Sequence, residues 1–325
     1  MNLIDRKRGD DGQDIRLLSS FQKQFPYKIY EIHPIRDNVF KLITSNRTYI
    51  LKGYSSYSRL KLQETFTSSL KKEGFNQTYS FISFNQDPII YKEVYYGCIQ
   101  YIEPHKSSFS YISEKERQEG LSLLDTFHQI TEQSVRRYQS ILPEFNLQKK
   151  WMERREQFAK NFQIISHYIS SEWISEWMNW ADWSLNGIKE TSRTIENEPN
   201  VILHGDVAHH NFLRGKNGKL YLIDFDLISI GPKSMDLLQY ANRILPYINW
   251  NMDSFIRYNS LKRLLSKKAY IYALAYPTDI FREWNRLIRE EDHRNGLKLQ
   301  HLINQTITNM QLRQQFISKL QKLVK

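Results

Sequence analysis

The sequence is short of several things that would settle its class at once. It has one cysteine, Cys98, in 325 residues, which excludes a disulfide scaffold and a cysteine-based zinc site and suits a reducing compartment. No stretch approaches the roughly 18 uninterrupted apolar residues of a spanning helix. No apolar run follows the opening Met1-Asn2-Leu3-Ile4-Asp5-Arg6-Lys7-Arg8, so no secretory signal is expected and a cytoplasmic location is. Repeats and low-complexity tracts are missing too. No run of five basic residues and no nucleic-acid motif occurs, so dedicated nucleic-acid binding is not expected despite a formal charge of +11. What remains is a folded chain, 40% hydrophobic and 25% charged, long enough for one large domain or two ordinary ones.

The positive charge is uneven. Residues 251–325 hold 14 Lys and Arg against 6 Asp and Glu. Arg282, Arg286 and Arg289 recur at i, i+4 and i+7, which puts them on one helix face. That face is either simply solvated or a docking surface for an acidic partner.

Short β-type runs lead the chain, at 27–33, 39–44 and 48–54, with a turn at Ser45-Asn46-Arg47. Helical spacing of leucine and phenylalanine follows over 57–72, with Gly74 as its stop. Strands are expected again at 79–84, 88–95 and 98–102, with turns at 85–88 and at Tyr96-Gly97. The pattern is an antiparallel sheet with a helix inserted after its third strand. Beyond Pro104 the periodicity predicts helices over 114–131, 147–169 and 172–188. Trp173, Trp177 and Trp180 form a stripe in the last of these, read as buried core. A β-rich island at 201–230 interrupts, and from Ser234 the chain is again mostly helical.

The island carries the chemistry. A strand ends at His204-Gly205-Asp206, a hairpin through Arg214-Gly215-Lys216-Asn217-Gly218 follows, and the return strand ends at Asp224-Phe225-Asp226. Asp206, Asn211 and Asp224 thereby come to one end of a small sheet. Phosphoryl transfer needs such a set. One uncoordinated carboxylate orients and deprotonates the attacking hydroxyl, while a carboxylate and an amide oxygen ligate Mg²⁺, which takes hard oxygen donors.

His204-Gly205-Asp206-x-x-x-x-Asn211 followed by Ile223-Asp224-Phe225-Asp226 resembles the catalytic core of the kinase-like small-molecule phosphotransferases. That superfamily includes the aminoglycoside phosphotransferases and choline kinases. The resemblance implies an α+β, bilobal protein-kinase-like fold, with a small antiparallel β-sheet N-lobe over 1–103 and a mostly helical C-lobe over 104–325. It implies ATP and Mg²⁺ as cofactors, Asp206 as base, and Asn211 and Asp224 as metal ligands. Tyr49-Ile50-Leu51-Lys52 resembles the strand whose lysine reaches the α- and β-phosphates, with Glu64 placed to pair with Lys52. Gln100-Tyr101-Ile102-Glu103 resembles the adenine-gripping hinge, through Gln100 and Ile102. Leu121, Leu124, Phe127 and His128 resemble the helix under the catalytic loop. Ser234-Met235-Asp236-Leu237-Leu238, Asn249-Trp250 and Ala275-Tyr276-Pro277 are most similar to the bacterial spore-coat kinase-like proteins, the CotS/YutH family, which implies a spore-coat location.

Each of these residues also has a plainer reading. Lys52 could face solvent, and Gln63 or Glu73 could replace Glu64 after a small register shift. His204 reads as a core histidine with a supporting role, and His209 and His210 as solvated loop residues. Asp236 could contact the catalytic loop or cap its own helix. Asp226 is a supporting acid beside Asp224. Where kinases carry a glycine-rich loop, this chain has Pro34-Ile35-Arg36-Asp37-Asn38, with Arg36 as a source of positive charge. Two functions follow: a kinase of a small hydroxyl compound (or a coat protein), or a kinase-fold assembly protein of the spore coat. The basic 251–325 segment argues against aminoglycosides, which are polycations, and for a neutral or anionic acceptor.

Overall fold

A computed structural model of the chain describes residues 19–83 and 88–325. The opening octapeptide and residues 85–87 of one expected turn lie outside them. The chain divides into two compact units: the first holds residues up to Ser108 together with Leu213–Asp226, the second Phe109–Phe212 and Leu227–Lys325. Among the described residues no helix is long and apolar enough to cross a membrane.

The first unit is a five-stranded antiparallel sheet in the order β1-β2-β3-β5-β4. Its strands are β1 (Ile29–Arg36), β2 (Val39–Thr44), β3 (Thr48–Tyr54), β4 (Ile89–Tyr91) and β5 (Val94–Gln100), with helix α1 (Tyr57–Lys72) inserted after β3. Alternation along β3 explains its two faces. Tyr49 and Leu51 join Phe21, Phe25, Leu42 and Cys98 in one apolar cluster, while the even positions Lys52 and Tyr54 point the other way. Ser56 caps α1 through the Arg59 amide. Helix α1 packs close to the sheet at Gly97, where a Cβ would stand 2.6 Å from both Leu60 and Phe81.

That packing corrects one expectation. Gly97 is not a turn residue. It sits inside β5, opposite Lys52. The turn is Lys92-Glu93, both at positive φ (46° and 62°), joining Tyr91 to its partner Val94 as a two-residue hairpin. The strand expected over 79–84 reduces, in its described part, to a single bridge between Phe81 and Ile99.

The hairpin of β7 (Phe212–Arg214) and β8 (Leu220–Leu222) contributes residues 213–226 to the first unit, unlike a single cut after residue 103. Its bonds give the reason. The Leu222 amide donates to Gln77 O, His105 to Arg214 O and Lys216 to Glu103 O, at 2.7–2.8 Å.

The second unit is mostly helical. Helix α2 (Glu114–Tyr138) runs beside a two-stranded antiparallel pair, β6 (Asn200–Leu203) and β9 (Ser229–Pro232), and Thr131 Oγ1 donates to Ile202 O at 3.1 Å. The helix expected over 147–169 is broken into α3 (Leu147–Lys160) and a short turn, Phe162–Ser166. Asn161, between them, is buried and donates its amide to Asn285 Oδ1. Helix α4 (Ser171–Glu190) buries Trp177 and Trp180, so these two are core, while Trp173 is only half-buried. Helices α5 (Ser234–Ile244), α6 (Lys268–Ala275), α7 (Thr278–Arg289), α8 (Gly296–Ile307) and α9 (Met310–Val324) complete the unit.

Candidate active site

In the first unit the chemistry gathers on the face of β3 that carries Lys52. The side chain is buried, and its Nζ lies 2.6 Å from Asp224 Oδ1 and 2.7 Å from Asp226 Oδ2. The second oxygen of Asp224 is 2.6 Å from Arg36 Nη2. Burial alone would raise the Asp224 carboxyl. Lys52 and Arg36 outweigh it and hold the group well below the usual carboxylate range. Asp224 also sits at φ 70°, a left-handed conformation that costs a non-glycine residue about 1 kcal/mol or more and persists where the surrounding structure over-determines it. Arg36 is the last residue of β1, so the expected turn over 34–38 shrinks to Asp37-Asn38, where Asn38 takes the positive φ (56°).

The expected Lys52–Glu64 pair does not form. Glu64 binds Lys61 one helical turn away, at 2.7 Å. The residue that α1 turns inward is Gln63, 4% exposed, whose Nε2 donates to Phe225 O at 2.8 Å. A helix rotates about 100° per residue, so one position moves a side chain from the packed face to solvent. Gln100 and Ile102 line a separate cavity of about 340 Å³ with Tyr101, Glu103, Lys71 and Lys216. The Gln100 amide is already bonded to Ser80 O.

In the second unit the loop after β6 is built around a buried carboxylate. Asp236, on the first turn of α5, is fully buried. It accepts from the His204 amide at 2.7 Å, the Gly205 amide at 3.0 Å and His128 Nε2 at 2.9 Å. Of its two readings, Asp236 therefore takes the loop contact. Burial would raise this carboxyl too, and the His128 hydrogen bond leads the effects that hold it below its ordinary value. His204 is also fully buried, and its Nδ1 accepts from the Asp206 amide at 3.3 Å, a supporting position. Gly205 is at φ +79°, and a Cβ there would meet Leu227 O at 2.2 Å, so only glycine fits between His204 and Asp206.

The loop presents Asp206 with its side chain 33% exposed and 3.3 Å from Arg243 Nη2. It opens on a cavity of about 370 Å³. Asn211 is buried, and its amide nitrogen donates to Asp206 O at 2.8 Å and to Asp206 Oδ2 at 3.2 Å. That fixes the amide oxygen as the atom left over, a hard donor of the kind Mg²⁺ takes. Among the described residues no group of three or more His, Cys, Asp or Glu is placed to hold a metal. His209 is held below its ordinary value, chiefly by burial and then by His210 and Arg243.

Sequence reasoning missed Arg243, Lys150 and Arg154, which line the Asp206 cavity with Arg282 and Arg286. The signal for Arg243 was its position seven residues after Asp236, on the same face of α5. The expected outward face of Arg282, Arg286 and Arg289 is divided. The first two line the cavity, and Arg289 is 71% exposed beside Glu290.

A family model described as a phosphotransferase enzyme family (APH) matches residues 121–254. No curated protein matches the chain. Among solved structures, an aminoglycoside phosphotransferase from Alicyclobacillus acidocaldarius is similar with a TM-score of 0.71 at 16% identity, over 93% of this chain and 94% of that one. The AMP-bound spectinomycin phosphotransferase APH(9)-Ia gives 0.57 at 13% identity, over 92% and 97%. Choline kinase LicA from Streptococcus pneumoniae gives 0.50 at 14% identity, over 95% and 99%. At these identities the likeness concerns the fold: α+β and kinase-like, with a five-stranded antiparallel sheet in one unit and helices dominating the other.

Proposed function

We propose that the chain is an ATP-dependent phosphotransferase acting on a hydroxyl group. The reading rests above all on the Asp206 loop, whose two preceding amides are locked to a buried Asp236 so that one carboxylate stands at the mouth of a small-molecule cavity. In this reading Asp206 accepts the hydroxyl proton. The hydroxyl oxygen bonds to the γ-phosphorus, the bond to the β,γ-bridging oxygen breaks, and ADP leaves with that electron pair. Lys52 and Arg36 are the phosphate-facing cations, and Gln100 and Ile102 the adenine-side residues. Glu64, bonded to Lys61, keeps at most a peripheral part. Asn211 in one unit and Asp224 in the other would each offer an oxygen to a divalent cation, whose chemistry would be to neutralise phosphate charge. Asp206→Asn and Asp224→Ala, assayed for ADP release, are each expected to lose on the order of 10²-fold or more. Parent-level turnover in both would overturn the reading.

The finer placement, a spore-coat kinase-like protein of the CotS/YutH type, is supported by the 234–238, 249–250 and 275–277 patterns. The same proposal covers a coat location and an acidic coat-protein partner. Imaging a tagged chain in a sporulating cell tests this, and a uniformly cytoplasmic signal would count against it.

One observation favours a second reading, a kinase-fold assembly protein without turnover. The glycine-free turn lays Arg36 on Asp224, where a phosphate-covering loop would otherwise leave room. Titrating Mg-ATP against thermal stability separates the two. Ligand at 100 times its Kd adds about 2.7 kcal/mol, and no shift at millimolar Mg-ATP favours the second.

A further inference from the structure

The wall of the Asp206 cavity is cationic beyond what its own acids can neutralise. Three helices deliver the charge at helical spacing: Lys150 and Arg154 from α3, Arg282 and Arg286 from α7, and Arg243 from α5. The acids nearby are already engaged. Both oxygens of Asp279 are taken by Arg313, at 2.8 and 2.6 Å. Glu283 is shared between Arg282 at 2.8 Å and Arg286 at 2.5 Å.

Among the described residues neither Lys150 nor Arg154 has a carboxylate partner. Arg154 donates to Thr278 Oγ1 at 2.9 Å, and Lys150 lies over the Phe145 ring, 5.2 Å from its centroid. Burial, followed by the neighbouring arginines, lowers the pKa of Lys150, Arg154 and Arg243 alike. Like charges crowded in a partly desolvated wall repel, and an anion relieves that cost.

We propose that the acceptor carries an anionic group, a phosphate or a carboxylate, seated between Lys150 and Arg154 on one side and Arg282 and Arg286 on the other, with its hydroxyl at Asp206. This identifies the substrate class of the phosphotransferase reading and rests on that reading. Guanidinium forks match both oxyanions in bidentate geometry. A cavity of about 370 Å³ takes a compound of sugar-phosphate or hydroxy-acid size. A polycation would bring like charge against this wall and is rejected by it.

The test is calorimetric titration of the full chain at fixed ionic strength with inorganic phosphate, glycerate, glucose 6-phosphate and glucose. At least one of the anions is expected to bind, and glucose at least tenfold more weakly than its phosphate; the phosphate and carboxylate arms show which oxyanion is preferred. Arg154→Ala and the more exposed Arg286→Ala, each checked for a parent-like unfolding transition, are expected to weaken the bound anion about 30-fold. Either variant suffices should the other fail to fold. No binding of any anion at millimolar concentration, glucose binding as tightly as its phosphate, or folded variants that bind like the parent would each overturn the proposal. Binding that is lost in the variants, with no ADP formed from any bound compound, would leave the anion site standing and overturn the phosphotransferase reading instead.

Discussion

Asp224 and Asp206 close the two motifs of one β-rich stretch, yet they live under opposite charge conditions. Asp224 is gripped on both oxygens by cations at 2.6 Å, and Lys52 also holds Asp226. The four charges of this cluster, two of each sign, are paired with one another. Asp206 meets one arginine at 3.3 Å and is a third exposed, in a unit where the cavity wall carries unmatched cations. The difference separates two ways of preparing a site. A closed ion cluster sets geometry tightly and must give up a partner to admit a ligand; Arg36, with its side chain 53% exposed, is the partner more easily released. An open, charge-unbalanced wall leaves its last counter-charge to the ligand.

The largest effect should come from the post that holds the loop. Asp236→Ala leaves the His204 and Gly205 amides and His128 without their acceptor, and is expected to cost about 3–5 kcal/mol in urea unfolding. A loss below about 1 kcal/mol would show that the loop stands without it. Next, Lys52→Met removes the ammonium shared by Asp224 and Asp226. A loss of about 2 kcal/mol is expected, smaller because Arg36 remains on Asp224. No loss would mean that the closed cluster is not a stabilising unit.

The pH dependence sharpens the same comparison. Asp224 has its folded pKa depressed, so the stability it contributes is fully present above the unfolded carboxyl value, about 3.9, and is lost as pH falls below it. The stability difference between the parent and Asp224→Asn should therefore be flat from pH 7 to about 5 and shrink below about 4. A difference that changes between pH 7 and 6 would contradict the cluster. The smallest effect is expected at Glu64→Ala, within about 0.5 kcal/mol for an exposed pair with Lys61. Its neighbour Gln63→Ala should cost about 1 kcal/mol for the lost Phe225 bond. Equal losses would undo the inward assignment of Gln63.

Much of this was legible in the residues. Strands β2 and β3 and helix α1 have the bounds that alternation and helical spacing give, because each carries a one-sided apolar pattern ended by polar residues. The Lys92-Glu93 turn was not legible, since neither residue is a customary choice for positive φ. Gly97 misled for a related reason. Glycine marks turns in sequence, but here it is demanded by the approach of Leu60 and Phe81. The His-Gly-Asp loop and the return to Asp224 were readable as local spacing. The cationic wall was not, because its members at 150, 154, 243, 282 and 286 meet only after three helices have packed.

The passage of Leu213–Asp226 into the first unit has a consequence for anyone dissecting the protein. The chain moves between units at Ser108/Phe109, at Phe212/Leu213 and again at Asp226/Leu227, so no single scission yields either unit whole. A fragment stopped at Ser108 would lack the hairpin that Gln77 and Glu103 bind, and would strand the Lys52 ammonium in a buried position without Asp224 or Asp226. Expressing the first unit alone calls for grafting 213–226 back onto it through a new linker, with the ends chosen by where Arg214 and Leu222 already bond.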